Sequence, residues 1–338
     1  MLKLNPADEY KDVMSVHGIP VNSKGKITVS DEYRETSSHM QVRVNRHGPD
    51  KLATKTCIAN DDGFAVTNVI IMGKEKCAVF DAQWTQANAH RCVAEILEEN
   101  LELETIYLSH AHPDHFFGAC VLKQVFPNAR VIAVPEEAKI IKAQWTDKWD
   151  AIVNFVGELN YPPREIPFDV EPIEEDHFLL EGERIEILPR LMGDYKYNTA
   201  VYVPSIKTLM CSDILFNEAH PFTCEITKEE RAEWYEVLNK LEDIGAEVVI
   251  PGHLRFGMPF DNTSFEYTRR YIKWTEYELE KCKSDGEFFF NMHLHFPNSV
   301  LEKSNEQNAL VFFNKKEWDW REDEIWDESD KKAAKLDK

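Results

Sequence analysis

Apolar and polar positions change their period several times along the chain, and each change marks an element. Up to about residue 52 no period is sustained, and Gly18, Pro20, Gly25, Gly48 and Pro49 interrupt any long element. This stretch reads as an N-terminal extension (1–53) packed on the core, with one or two short strands. Beyond it, residues 65–72 (AVTNVIIM) and 76–81 (KCAVFD) are apolar runs separated by Gly73-Lys74, a hairpin signal. Residues 86–100 place Ala89, Val93, Ile96 and Leu97 on one helical face. A short strand at 105–108 leads into a polar, histidine-rich loop and then an apolar helix over about 115–125. Residues 131–134 form a further strand, and a helix opens at Pro135 with Glu136 and Glu137 in its first turn. Strands recur at 185–188, 200–203 and 208–211. Thr227-Lys-Glu-Glu230 is a capping box opening a helix that ends near Gly245. A strand at 246–250 and a long amphipathic helix at 263–282 complete the main body, 54–282. Strands interleaved with helices predict α/β layers around a mixed sheet.

The remaining segment, 283–338, is a C-terminal extension ending in EWDWREDEIWDESDKKAAKLDK. Trp318, Trp320 and Trp326 are too apolar for a solvated tail, so residues 317–326 are expected to dock on the body.

Composition narrows the function classes. With 43% hydrophobic and 29% charged residues, the chain has the proportions of a soluble globular protein. Sixty acidic against 39 basic residues give a net charge of −21, which argues against a general nucleic-acid binder. No apolar run approaches the roughly 18 residues of a membrane span. The N-terminus MLKLNPADEY has neither the basic start nor the apolar stretch of a secretory signal. Seven cysteines, an odd number without a CxxC pair, point to a reduced, cytoplasmic compartment. A small molecule is the expected partner, not a nucleic acid or a membrane, and a homodimer is left open.

The chemistry concentrates after the strand at 105–108, in Ser109-His110-Ala111-His112-Pro113-Asp114-His115. Alternate side chains of an extended segment share a face, so His110 and His112 can bind one ion together. Asp114 and His115, where the chain turns into the helix, are offset enough to serve a second. Imidazoles and carboxylates suit zinc and also manganese or iron. A polar helix cap with incidental histidines is the bland alternative, which the density of HxHxDH at a strand end disfavours.

HAHPDHFFGA, residues 110–119, resembles the signature loop of the metallo-β-lactamase-fold hydrolases. Two further motifs follow in the family's order: Met210-Cys-Ser-Asp213, similar to its strand-end aspartate, and Val249-Ile-Pro-Gly-His253, similar to its late strand-end histidine. The resemblance runs from about residue 54 to about 282. It implies a four-layer αββα sandwich with two divalent metal ions, zinc in the first instance, along one edge. His110 and His112 would hold the first ion; Asp114, His115 and His253 the second; Asp213 would bridge them.

One position departs from the family. Its third first-metal histidine, in a Gly-His turn before the bridging aspartate, is matched here by Gly193-Asp194. Either Asp194 ligates the first metal or it only forms the turn; ligation is the expectation, since carboxylates replace imidazole readily in hard-metal sites. His177, before the strand at 185–188, is read as a surface or packing residue.

Two neighbouring cations lower the pKa of a shared water, so a metal-bound hydroxide exists at neutral pH. Asp114 or Asp213 could orient that nucleophile and pass a proton to the leaving group. Tyr195, Tyr197 and His220 are candidate oxyanion donors, and Trp84 a candidate pocket wall. The expected activity is opening of a small-molecule ester or amide, a lactone or lactam first. A thioester hydrolase of the glyoxalase II type is the alternative, disfavoured because residues 283–330 are predominantly acidic. Phosphodiester cleavage ranks lower on charge, a redox di-iron protein on the intact HxHxDH, and a decayed metal scaffold on the number of retained ligands.

Overall fold

The computed structural model describes residues 32–37, 39–48 and 50–316. Its first sheet has eight strands in chain order: β1 (Glu32–Ser37), β2 (Met40–Arg46), β3 (Ala53–Ala59), β4 (Thr67–Met72), β5 (Lys76–Phe80), β6 (Glu102–Tyr107), β7 (Arg130–Ala133) and β8 (Glu171–Pro172). β1 to β5 pair antiparallel and β5 to β8 parallel. The second sheet contains β9 (His177–Leu180), β10 (Glu183–Leu191), β11 (Asn198–Val203) and β12 (Thr208–Met210). The chain then forms β13 (Phe216–Asn217) and returns as β14 (Val248–Ile250), parallel to β12; β15 (His253–Leu254) pairs with β13.

The central strands β4, β5, β11 and β12 are buried along nearly their whole length, which is why they read as mostly apolar runs. Period-2 alternation divides each of these strands between two cores. In β4, Ile70 and Met72 face helices α1 (Gln86–Glu98), α2 (Pro113–Phe116), α3 (Ala119–Val125) and α4 (Pro135–Val156), whereas Val69 and Ile71 face the other sheet. In β11, Val201 and Val203 join that inter-sheet core. Ala200 instead turns outward to α5 (Lys228–Glu242), α6 (Thr263–Lys281), α7 (Asp285–His295) and α8 (Glu302–Phe312). The order is α, β, β, α, the sandwich the resemblance implied.

The hairpin at Gly73-Lys74 forms, and Glu181 holds it from β9–β10 by accepting the backbone N–H groups of Lys74, Glu75 and Lys76 at 2.7–2.8 Å. The Thr227–Glu230 capping box is present at α5. Three features differ from the sequence reading. The N-terminal strands are the outer part of the first sheet: β2 pairs with β3 over seven residues, and Met40 to Val44 are buried. In α1, Leu97 is 56% exposed, and Cys92 occupies the buried face instead. The helix expected over 115–125 is two helices, α2 and α3, broken at Gly118. A Cβ there would lie 1.9 Å from the Ala82 carbonyl oxygen, so the chain must kink to bring that backbone alongside. The expected docking of residues 317–326 falls outside the described residues.

Gly118 therefore fixes how closely the ligand-loop helix approaches the end of β5. Gly118→Ala is expected to cost about 1–3 kcal/mol by overpacking and to lower the melting temperature. An unchanged melting curve would show that this close approach is not needed.

Candidate metal centre

Three strand ends and one turn meet at one edge of the sandwich. The ligand loop leaves β6, Asp213 sits in the turn after β12, His253 begins β15 just after β14, and Asp194 lies in the turn between β10 and β11. All are buried or nearly so.

Among the described residues, His110, His112, Asp194 and Asp213 form one donor group, and Asp114, His115 and His253 another, with ligand atoms within 4.8 Å in each. In the first, His112 Nδ1 lies 3.1 Å from Asp194 Oδ2, and His110 Nε2 lies 3.5 Å from Asp213 Oδ2. In the second, His253 Nε2 is 3.4 Å from His115 Nε2 and 3.3 Å from Asp114 Oδ2. Asp213, a member of the first group, also touches the second: Oδ1 is 3.1 Å from His115 and Oδ2 is 3.1 Å from His253. The structure thus brings together all seven residues named as ligands from the sequence, Asp194 included.

Glycines make the closeness feasible. A Cβ on Gly252 would lie 2.2 Å from Asp213 Oδ1, and one on Gly193 would lie 2.8 Å from the Asp213 carbonyl. Asn198 Nδ2 donates to Asp194 Oδ1 at 3.0 Å, which leaves Oδ2 turned to His112.

Beneath the donors lies Asp81, which the sequence marked only as a strand end. Its backbone is left-handed (φ 61°), a conformation costing about 1–3 kcal/mol at a non-glycine residue. Its carboxylate accepts from Ser109 N and Oγ and from Ser212 Oγ, each at 2.9 Å, and lies 2.8 Å from His115 Nδ1. Ser109 Oγ in turn lies 2.8 Å from His110 Nδ1. His253 Nδ1 donates to the Phe64 carbonyl at 2.7 Å. Each of these three rings is fixed through one nitrogen while Nε2 faces the centre. Such orientation tunes ligand geometry and basicity. No sequence signal marked Asp81, Ser109 or Ser212 for this role, because it depends on which strand ends become neighbours.

The electrostatics are those of a closed ionic cluster. Burial raises the Asp213 pKa, but His115, His253 and His110 outweigh it and hold it well below the carboxylate range. Asp114 reaches about 2 for the same reason, burial being overcome by His115 and His253. Asp194 goes the other way, to about 6, because burial and the charge of Asp213 exceed the pull of His112. Burial and His115 lower His110 to about 4. His112 and His115 resist burial and rise, driven first by Asp194 and Asp213 respectively.

The donor set fits divalent ions. His110 Nε2, Asp114 Oδ2, Asp194 Oδ2 and Asp213 Oδ1 are buried, and among the described residues none has a hydrogen-bond partner. Buried polar atoms are ordinarily satisfied, so a converging set of nitrogen and oxygen lone pairs marks a place for cations.

Above the centre opens a cavity of about 470 Å³ with His112, Asp114, Asp213 and His253 in its lining. Trp84 is in the wall, as expected, with Phe64 edge-on at 5.2 Å and Phe222 stacked on Phe64 at 6.0 Å. The lining also includes Lys148, Glu225, Lys303, Glu306 and Lys316.

Two expected oxyanion donors are corrected. Tyr195 packs against the rings of His110 and His112, but its hydroxyl donates to Glu137 and accepts from Ala111 N, so it braces the ligand loop. His220 is fully buried with Nδ1 3.0 Å from the Tyr271 hydroxyl and Nε2 3.6 Å from Glu302; it ties the strand ends to α6 and α8. Neither lines the cavity, and Tyr197 packs into the helix-side core instead.

The sequence model of the metallo-β-lactamase superfamily matches residues 62–253, and the chain belongs to that superfamily of hydrolytic metalloenzymes. Glyoxylase B2 of Dictyostelium discoideum is 29% identical over 170 residues, 44% of this chain and 56% of that protein. The chain thus spans little more than half the length of this curated relative. Crystal structures of VMB-1 (15% identity, TM-score 0.52, 70% of this chain and 98% of that one) and of the DIM-1 metallo-β-lactamase (18%, 0.50, 72% and 99%) share the fold.

Asp81→Ala removes the acceptor common to His115, Ser109 and Ser212. Outer-shell losses of this kind typically cost about 10–100-fold in metal affinity. Metal content after dialysis should therefore fall; full retention would remove Asp81 from the orienting network.

Proposed function

We propose that the protein is a binuclear metal-dependent hydrolase of small-molecule acyl bonds, with a thioester or open ester carrying an anionic group as its substrate class. The observation that carries this reading is the seven-donor centre beside a cavity whose lining combines aromatic side chains with lysines.

His110, His112 and Asp194 would hold one ion, Asp114, His115 and His253 the other, with Asp213 between them. Two such ions, zinc or the harder manganese or iron, supply Lewis acidity and a water that ionises near neutral pH. The chain's own groups do the rest. Asp213 sets the separation of the two halves of the centre. Asp114, with Oδ2 facing the cavity floor, is placed to hold a proton of the attacking water and return it to the leaving group. Phe64, Trp84 and Phe222 exclude water and take an apolar acyl portion. Lys303 and Lys316 offer positive charge to an anionic end.

This reverses the ranking expected from composition, which put lactones and lactams ahead of thioesters. The C-terminal extension is acidic in sum, yet two of its lysines lie in the cavity wall. The match to a protein named Glyoxylase B2 supports the same choice. All seven cysteines are free, which supports a reducing, cytoplasmic setting, and no helix among the described residues is long and apolar enough to cross a membrane.

Metal analysis together with a panel of thioesters, esters, lactones, lactams and phosphodiesters tests the reading. Two ions per chain and turnover confined to thioesters or open esters are expected; turnover of lactams alone would reverse the substrate assignment. Replacing Lys303 and Lys316 by alanine should raise KM for anionic substrates and spare neutral ones. Asp213→Ala should reduce kcat by about 100-fold or more, since misplacing reacting groups by about 1 Å costs that much. Retained kcat would rule out Asp213 as the bridge. Asp194→Ala should lower metal content from two ions toward one, and Asp194→His should keep two ions with a shifted metal preference. If the alanine variant binds two ions and turns over normally, Asp194 is only a turn residue.

A further inference from the structure

We infer that Glu225 is a positioning residue that accepts the Nε2 proton of His112 and so leaves Nδ1 free to ligate. The inference rests on the metal-dependent reading above and concerns how one ligand is held.

Each of the four histidines must turn one nitrogen inward and secure the other. His110, His115 and His253 point Nε2 at the centre and secure Nδ1 on Ser109, Asp81 and the Phe64 carbonyl. His112 is reversed. Its Nδ1 faces the centre, 3.1 Å from Asp194 Oδ2 and 3.8 Å from Asp213 Oδ2. Its Nε2 lies 3.3 Å from Glu225 Oε2.

Glu225 comes from the loop between β13 and α5 and not from any ligand-bearing strand end. Its side chain is only 3% exposed and lines the cavity. Among the described residues neither of its oxygens makes a hydrogen bond elsewhere. Burying an unpaired carboxylate is costly, so one retained against an imidazole edge is there for that edge. At 3.3 Å the two are in ion-pair contact, and His112 Nε2 is the donor group that the structure gives beside this carboxylate.

The need for this partner follows from Asp194. A neutral imidazole carries one N–H, and its position decides which nitrogen can bind a cation. A carboxylate 3.1 Å from Nδ1 attracts the proton to the nitrogen that must stay bare. A second carboxylate at Nε2 attracts it to the opposite edge. With Asp194 in the turn, the centre requires an acceptor on the far side of His112, and Glu225 is that acceptor.

Metal-free wild type, Glu225→Gln and Glu225→Leu are titrated with zinc alone, by calorimetry and by competition with a chelator. Leucine keeps much of the volume but cannot accept a proton; glutamine keeps an acceptor oxygen. In Glu225→Leu, one of the two binding steps should weaken by about 10–100-fold while the other stays as in wild type. Glu225→Gln should bind both ions nearly as wild type does. Cooperative metal-free melting of all three proteins shows that any weaker binding does not come from unfolding. Wild-type binding by Glu225→Leu overturns the inference. Equal weakening in both variants overturns it too, because it would make charge, not proton acceptance, the cause. Equal loss at both steps assigns Glu225 a general structural role. A wild-type protein that fails to take up two ions instead overturns the metal-dependent reading itself.

Discussion

The edge of the sandwich that carries the site is organised around one buried carboxylate. Asp81 follows directly on β5, and its left-handed backbone turns the side chain beneath the end of β6, the start of α2 and the end of β12. Through Ser109, His115 and Ser212 it gathers donors from both sheets onto two oxygens. A buried carboxylate so satisfied is stable only while all its partners hold their places, so the strained residue and the strand ends fix one another. Thr199 of β11 adds a second tie, donating to the Ser109 carbonyl at 2.7 Å while accepting from Tyr107 at 3.0 Å. The ligand loop is thereby a rigid bridge between sheets, the support a site needs if its geometry is to be kept within fractions of an ångström.

Above that base, charge governs. Four imidazoles and three carboxylates are packed where water scarcely reaches, and without cations they must share protons. That is why Asp213 and Asp114 are held low while Asp194 rises to about 6. Cations taking these positions displace the protons on the inward-facing nitrogens, so metal uptake and proton release are linked. A carboxylate at position 194 in place of an imidazole adds a negative charge and shortens the reach of the ligand. Gly193 permits the closer approach, and Asn198 occupies the carboxylate oxygen that does not face His112.

The sequence made legible whatever depends on spacing within one segment. HxHxDH places four donors at one strand end whatever the rest of the chain does, and the later aspartate and histidine follow strands apolar enough to be recognised. Layering was legible for the same reason, since the central strands β4, β5, β11 and β12 are mostly apolar. What stayed hidden depends on neighbours distant in sequence. Leu97 fits the helical stripe of α1 as well as Cys92 does; only packing against the rest of the fold decides which is covered. Tyr195 and His220 stood at the right distances from ligands along the chain. Their hydroxyl and imidazole nevertheless find partners in α4, α6 and α8, which a linear reading cannot bring alongside. Glu225 lacks any motif at all, and its meaning comes from the 3.3 Å separating it from a ring more than a hundred residues earlier.

Net charge says little about the cavity for a related reason. A sum of −21 describes the field far from the molecule, where screening over about 10 Å already flattens it. A substrate in the cavity responds to the charges lining it, and there Lys148, Lys303 and Lys316 stand beside Glu225 and Glu306. The ammonium of Lys148 donates to the Ala111 carbonyl, so it also steadies the ligand loop from the cavity side. Folding has drawn basic residues from α4 and from the acidic C-terminal segment into the lining of the same cavity as the aromatic ones. Selectivity in such a cavity follows from where each charge lies relative to the metal ligands, and the surplus of acidic residues elsewhere on the surface leaves it unchanged.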